Sequence, residues 1–369
     1  MSIVASSAVA FVPLVSRLSR SRLPSSASTS TGILRQVSIV NGGGKSYSDM
    51  TIADTPLGTK KGSELLDGLD VYCVPSKSDK HPLSVYGIES SQPKEDDNVL
   101  LMLHGRTWSS VPVYHLHGGP KAAKNGLESH SLMEEFLSKK IQVYAMDFRG
   151  FGGTPRDATN GVEPNRCVED VESVLSWIRE RHGPKTDLSL LGWSQGALVA
   201  QLAAQRRKPA FSKLVLYGSI YDPMVRYPRE PLYVKQKDTA PDIENTYDGA
   251  VEDFTIEGTI PPEPADNFAE AALLADPIKA RWTHLHEFNN CDPARVHLPT
   301  LVVAGDQDPY SPIHVQQELF VNLGRGSDKT WSILANADHA VHLLEGRKRF
   351  ATVVASFLRN SKMREERPN

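Results

Sequence analysis

Ser194 lies in the pentad Gly192-Trp193-Ser194-Gln195-Gly196, behind the apolar run Leu188 to Leu191 and ahead of the alanine-rich stretch Ala197 to Gln205. A serine in a G-x-S-x-G frame between a strand and a helix is the pattern of a nucleophile elbow, in which a sharp turn lifts the hydroxyl clear of the sheet. The flanking glycines have a steric reason, since a Cβ at position 192 or 196 would obstruct the turn and its close neighbours. A serine hydroxyl is a weak nucleophile near neutral pH, so the chemistry also needs a histidine to take its proton and a carboxylate to orient that histidine. The expected chain order is Ser, Asp, His. Downstream, the buried-strand pattern Pro299 to Ala304 runs into Gly305-Asp306-Gln307-Asp308, and the short apolar strand Thr330 to Leu334 leads to Asp338-His339. Asp306 or Asp308 supplies the carboxylate in this reading, and His339 the base.

These groups need a sheet whose strand ends converge. Asn98 to Leu103 and Ile141 to Met146 read as buried strands. Leu132 to Lys140 reads as a short amphipathic helix and Pro164 to His182 as a longer one, with a proline near its start and Gly183 as its stop. Glu64 to Pro75 and Leu83 to Ser90 read as an antiparallel pair at the sheet edge, joined by the polar turn Ser76 to Pro82. Alternation of strand and helix implies a parallel, doubly wound sheet with reactive groups at the carboxyl ends of its strands. Between the strand Lys213 to Ser219 and the strand at Thr300 lie about eighty residues that this sheet does not need. They carry Tyr221, Tyr227, Tyr233, Tyr247, Phe254, Phe268, Trp282 and Phe288, most of which would form a small core of their own, with a few left to touch a substrate.

From about Ser63 to Phe357 the chain resembles the α/β-hydrolase fold superfamily. Besides the elbow, the strand Asn98 to Leu103 ends in His104-Gly105-Arg106-Thr107-Trp108, similar to the family's oxyanion loop. Asp147-Phe148-Arg149-Gly150-Phe151-Gly152 is similar to its D-x-R-G-x-G segment, Gly305-x-x-Asp308 to its acid turn and Asp338-His339 to its histidine loop. The resemblance implies a mostly parallel doubly wound sheet with a cap insertion before the acid-bearing strand, and it favours Asp308 over Asp306. It also implies an oxyanion hole from the backbone amides of Arg106 and Gln195. A rival oxyanion loop exists: His117-Gly118-Gly119-Pro120 resembles the H-G-G-P stretch of proline iminopeptidases, although it follows Val113 to Leu116 and no long apolar strand. Trp108, Trp193, Tyr221 and Trp282 are the candidates for the substrate pocket.

The rest of the sequence narrows the class. Gly150-Phe151-Gly152-Gly153 fails the spacing of a dinucleotide loop, and Pro155 interrupts the helix that such a loop requires. The histidine pairs 115 and 117, 284 and 286, and 339 and 342 lack a third ligand at recognisable spacing, so no metal and no other cofactor is expected. A net charge of −3 and the lack of a basic, aromatic-rich stripe argue against nucleic acid. The cap's 15 Asp and Glu outnumber its Lys and Arg, an imbalance that suits a cationic substrate or a solvated face. Cys73, Cys167 and Cys291 are scattered and odd in number, which reads as reduced thiols in an intracellular compartment.

Residues 1–48 contain no Asp or Glu, five Arg or Lys and many serines, the bias of an organellar transit peptide. Ala8-Val9-Ala10-Phe11-Val12-Pro13 resembles the A-x-A-F-x-P junction of some bipartite plastid presequences, which makes plastid the first expectation and mitochondrion the second. The apolar stretch Ile3 to Val15 is too short to cross a bilayer. The expected organisation is therefore a presequence over 1–48, a linker over 49–62, core over 63–220, cap over 221–295, core over 296–360 and a charged tail over 361–369. The activity expected is hydrolysis of a small-molecule carboxylic ester through an acyl-enzyme. A peptidase of the proline-iminopeptidase kind, a ligand-binding receptor that kept the triad, and acyl transfer to an alcohol are the alternatives.

Overall fold

In this computed structural model residues 52, 55–89, 98–118, 120–126, 128–229, 241–252, 254, 262–326 and 328–360 are described. The presequence, the charged tail and Tyr233 lie outside them.

Eight strands form one sheet: β1 Asp70–Pro75, β2 Pro82–Ile88, β3 Asn98–Leu103, β4 Ile141–Met146, β5 Asp187–Trp193, β6 Lys213–Tyr217, β7 Thr300–Gly305 and β8 Lys329–Leu334. Their spatial order is β1-β2-β4-β3-β5-β6-β7-β8. β1 and β2 pair antiparallel, as do β2 and β4, and every later pair is parallel. The expected fold class, an α/β-hydrolase fold, is the one observed. β3 is buried at all six positions, which explains why it reads as an unbroken apolar run. Val99, Leu101 and Leu103 face one core, while Leu100 and Met102 face the other.

Helices cover both faces. α2 (Pro164–His182) and α3 (Gln195–Ala204) pack on the side of Val99 and Leu101. α1 (Leu132–Ser138) and α6 (Gly346–Asn360) pack on the other, with Phe136 against Phe350. α2 begins with Pro164 in its first turn and ends at Gly183, whose φ of 99° takes the left-handed stop that a Cβ would resist. α4 (Pro262–Ala275) lies in the stretch before β7, and its Phe268 is fully buried edge-on to Trp108, 6.1 Å away, and 5.6 Å from Phe254. α5 (Ile313–Asn322) follows β7.

The expectation of a strand from Glu64 is corrected. Gly62–Leu66 is a 3-10 turn, and Gly68, at φ 87°, redirects the chain before β1 starts at Asp70. Apolar residues in such a turn mimic a strand pattern because Leu65 and Leu66 are half-buried against Leu57 and Tyr86. The three cysteines are free thiols. No helix among the described residues is long and apolar enough to cross a membrane.

Candidate active site

Ser194 sits between β5 and α3 at φ 56°, ψ −121°, a combination that L-residues avoid. The close packing that forces it is explicit: a Cβ on Gly192 would lie 2.3 Å from the carbonyl oxygen of Gly196, and one on Gly196 would lie 2.3 Å from that of His104. The Ser194 amide donates to the Tyr217 carbonyl at the end of β6, 3.0 Å away. Only 8% of the serine is exposed.

His339 and Asp308 meet at the ends of β8 and β7. His339 Nδ1 lies 2.8 Å from Asp308 Oδ2, with both side chains almost fully buried. Asp308 also accepts from the amides of Tyr310 and Ser311, at 2.9 and 3.1 Å, and from the Ser311 hydroxyl. Burial pushes its carboxyl up, but the bonds from His339, Ser311 and the Tyr310 amide outweigh that and hold it below the usual carboxylate range. Asp306 instead accepts from the Ala337 amide at 3.1 Å and braces the histidine loop. Gly218 supplies the clearance between these parts: a Cβ there would lie 3.2 Å from His339 Nδ1 and 3.3 Å from Asp308 Oδ2, and its φ of 50° is itself left-handed.

Arg106 follows the end of β3. The loop abuts the serine, since a Cβ on Gly105 would lie 3.2 Å from Ser194 Cβ. His104 fixes the loop: its Nε2 accepts from the Phe148 amide at 3.1 Å while Nδ1 donates to the Gly105 carbonyl at 2.9 Å. Full burial lowers the His104 pKa to about 3, so it stays neutral and keeps the acceptor that this arrangement needs. Gln195, at the first turn of α3, is buried beside the serine. Amides at a helix start have no intrahelical partner and are free to face a developing oxyanion.

The rival loop is elsewhere. His115 bonds Ser131 Oγ and the Asp67 carbonyl, and a Cβ on Gly118 would lie 2.2 Å from the His115 ring. His117 and Gly118 line a separate cavity of about 360 Å³ with Lys61, Asp67 and Leu274, and neither Ser194 nor His339 borders it.

Two of the proposed pocket aromatics are structural. Trp193 is buried beneath the histidine, with ring centroids 5.1 Å apart, and its Nε1 donates to the His339 carbonyl at 3.0 Å. That carbonyl also accepts from the Tyr217 hydroxyl at 3.0 Å. Because Tyr217 spends its proton there, the nearby His342 Nδ1, 2.9 Å away, is the donor to the Tyr217 oxygen, and burial keeps His342 neutral. Trp108, also 2% exposed, packs on Phe268 in the core. Tyr221 lines a small cleft with Leu198 and Phe288. Trp282 does stand at the site, with Nε1 donating to the Arg106 carbonyl at 2.9 Å.

The sequence reading missed a pair of buried carboxylates behind the oxyanion loop. Asp147 accepts from the amides of Ser110 and Gly153, at 2.8 and 2.9 Å, and from the Tyr86 hydroxyl at 2.6 Å. Asp276, just after α4, accepts from the amides of Ser109 and Gly152, both at 2.8 Å. Burial raises the Asp147 pKa to about 6, and burial with the Asp147 charge nearby raises that of Asp276 to about 7. Asp147 could have been suspected from its D-x-R-G-x-G motif; no local pattern marks Asp276. Arg149 of the same motif is buried against Asp170 and also reaches Asp79 and Asp157. Among the described residues no cluster of three His, Cys, Asp or Glu could hold a metal ion.

Comparison with known proteins places the fold. The family model described as Hydrolase_4, serine aminopeptidase S33, matches residues 112–346. Among solved structures, a thermophilic esterase from Thermogutta terrifontis is 16% identical with a TM-score of 0.52, covering 79% of this chain and 98% of its own. A serine hydrolase involved in carbazole degradation is 17% identical, with the same TM-score of 0.52 and the same coverage of 79% and 98%. A thioesterase domain from the curacin biosynthetic pathway is 13% identical with a TM-score of 0.52, covering 79% and 99%. At these identities the likeness is one of fold. No curated protein matches the sequence.

Proposed function

The chain belongs to the Hydrolase_4 family, serine aminopeptidase S33, and is an α/β-hydrolase enzyme; from that premise we propose that it cleaves carboxylic esters through an acyl-enzyme on Ser194. His339 takes the Ser194 proton as the hydroxyl attacks the ester carbonyl, and Asp308 orients the imidazole and stabilises its cation. The amides of Arg106 and Gln195 hold the oxyanion. The alkoxide leaves with a proton from His339, and water then repeats the cycle to release the acid. The observation that carries this reading is the bond of 2.8 Å between His339 Nδ1 and Asp308 Oδ2, together with a serine held at φ 56° where β5 turns into α3.

Ester cleavage is preferred to peptide cleavage because His117 and Gly118 of the H-G-G-P stretch, which would serve an iminopeptidase as its oxyanion loop, line a cavity that neither Ser194 nor His339 borders. The test is labelling by a fluorescent fluorophosphonate alongside turnover of p-nitrophenyl acyl esters of several chain lengths. Wild type labels and turns over, whereas Ser194→Ala and His339→Ala do neither. A folded wild type that takes no label overturns the serine mechanism and brings the ligand-receptor alternative forward. Amino-acyl naphthylamides turned over faster than esters would establish the peptidase alternative, and new esters formed with added alcohols the acyl transferase. The acid-free residues 1–48 support import into a plastid, with mitochondrion as the alternative, which a fluorescent fusion to that segment tests.

A further inference from the structure

We propose that Trp282 is a positioning residue for the oxyanion hole: its indole, carried on the stretch between β6 and β7, holds the loop that presents the Arg106 amide. This rests on the acyl-enzyme reading above and deepens it. Trp282 Nε1 donates to the Arg106 carbonyl at 2.9 Å. One peptide earlier, His104 Nδ1 donates to the Gly105 carbonyl at 2.9 Å. In a trans peptide the carbonyl and the N–H point opposite ways, so the His104 bond turns the Arg106 N–H away from the His104 ring. The Trp282 bond fixes the next peptide in the same manner. The two peptides that meet at the Arg106 Cα are thus each held by a ring N–H, one from the residue just after β3 and one from a residue 176 positions along the chain.

The indole is itself held. The Val162 amide donates to the Arg281 carbonyl at 2.8 Å and the Thr283 amide to the Val162 carbonyl at 2.9 Å. Backbone bonds on either side of Trp282 therefore pin it to Val162, which is buried in the core ahead of α2. Phe148 and Phe151 pack on both rings: each lies 4.6 Å from the His104 ring, and they lie 5.9 and 6.4 Å from the indole. The loop closes on the serine, since a Cβ on Gly105 would lie 3.2 Å from Ser194 Cβ. A loose donor must be reoriented as charge develops, whereas one fixed beforehand stabilises the oxyanion without that cost. Misplacement by about 1 Å is enough to slow such a site. The hole is therefore completed by a residue outside the strand-end motifs that supply the triad, and changes in the stretch bearing Trp282 reach the reaction through the Arg106 carbonyl.

Trp282→Phe keeps an aromatic ring and removes the donor. With p-nitrophenyl acyl esters its kcat should fall by about three- to tenfold at unchanged KM, the scale of one hydrogen bond made in the transition state. The rate of fluorophosphonate labelling should fall by the same factor, while the labelled fraction still reaches that of wild type. Inhibition by a trifluoromethyl ketone, whose serine adduct bears an oxyanion, should weaken in parallel, and binding of the product acid should not change. An indole that only supports the fold gives another pattern, a lower melting temperature or a smaller labelled fraction with wild-type kcat per labelled serine, and that pattern overturns the assignment. A raised KM at unchanged kcat makes Trp282 a wall of the substrate pocket and overturns it as well. Where Trp282→Phe does not fold, replacing Trp282 by benzothienylalanine exchanges the N–H for sulfur within the same outline and is read by the same criteria. A wild type that takes no label and cleaves no ester defeats the serine mechanism itself, and the positioning role falls with it. A wild type that does both, beside a variant with unaltered kinetics, defeats the positioning role alone.

Discussion

Asp308 and Asp276 are both buried carboxylates that accept two backbone amides each, yet their surroundings drive them in opposite directions. At the end of β7, Asp308 faces an imidazole that can carry positive charge, and it stays ionised below the usual range. Behind the oxyanion loop, Asp276 has another carboxylate for a neighbour and its pKa rises to about 7. Burial disfavours charge at both; the partner decides the outcome. One carboxylate lies against the histidine proposed as the base, and the other holds Ser109 and Gly152 behind the oxyanion loop.

Asp308→Asn tests the contrast most severely. It preserves shape but removes the charge and fixes the wrong imidazole tautomer, so kcat should drop by about 10⁴, while the melting temperature falls only by what the ionised carboxylate contributes. Stopped-flow assays beside thermal melts check this. Asp276→Ala should do the reverse, orphaning two buried amides at about 1–3 kcal/mol each; the melting temperature falls by several degrees while residual activity stays well above that of Asp308→Asn.

The pH dependence separates the pair by sign. Stability from Asp276, with its folded pKa raised, is complete below the ordinary carboxylate range and lost as pH rises toward about 7. Stability from Asp308, lowered in the folded state, is present above that range and lost as pH falls. Denaturant midpoints between pH 4 and 7.5 should therefore lose a declining limb in Asp276→Asn and keep it in Asp308→Asn. The smallest effect is expected at Tyr217→Phe, which frees the His339 carbonyl from one of its two clamps: a loss of about 1 kcal/mol, read as a fall of several-fold in kcat at unchanged KM.

The same contrast governs what the sequence disclosed. β3, β4 and α2 were readable to the residue because burial on both faces, or on one helical stripe, writes itself into consecutive residues. Ser194, Asp308 and His339 stand out as candidates because each follows a strand within a local motif, and the structure brings Asp308 to His339 and the oxyanion loop to Ser194. Asp276 does not, since it joins amides 124 and 167 positions away in the chain. Trp108 and Trp193 were misjudged for a related reason: a tryptophan beside a motif looks alike in sequence whether its ring faces the cleft or underpins the loop. Arg106 stands out in the sequence for its amide, and the bond from Trp282 Nε1 to its carbonyl is visible only in the fold, since the two residues lie 176 positions apart.

The backbone of Ser194 carries one more implication, for how such a protein could change over generations. At φ 56° and ψ −121° glycine is at ease and serine is not. Relief of about 1–3 kcal/mol of strain exceeds the roughly 0.5–1 kcal/mol of extra freedom that glycine gives the unfolded chain. Ser194→Gly should therefore yield an inert protein sturdier than its parent. A lineage released from selection for turnover has a downhill route to a durable scaffold with an intact cleft, and only continued demand for the reaction keeps the hydroxyl in place.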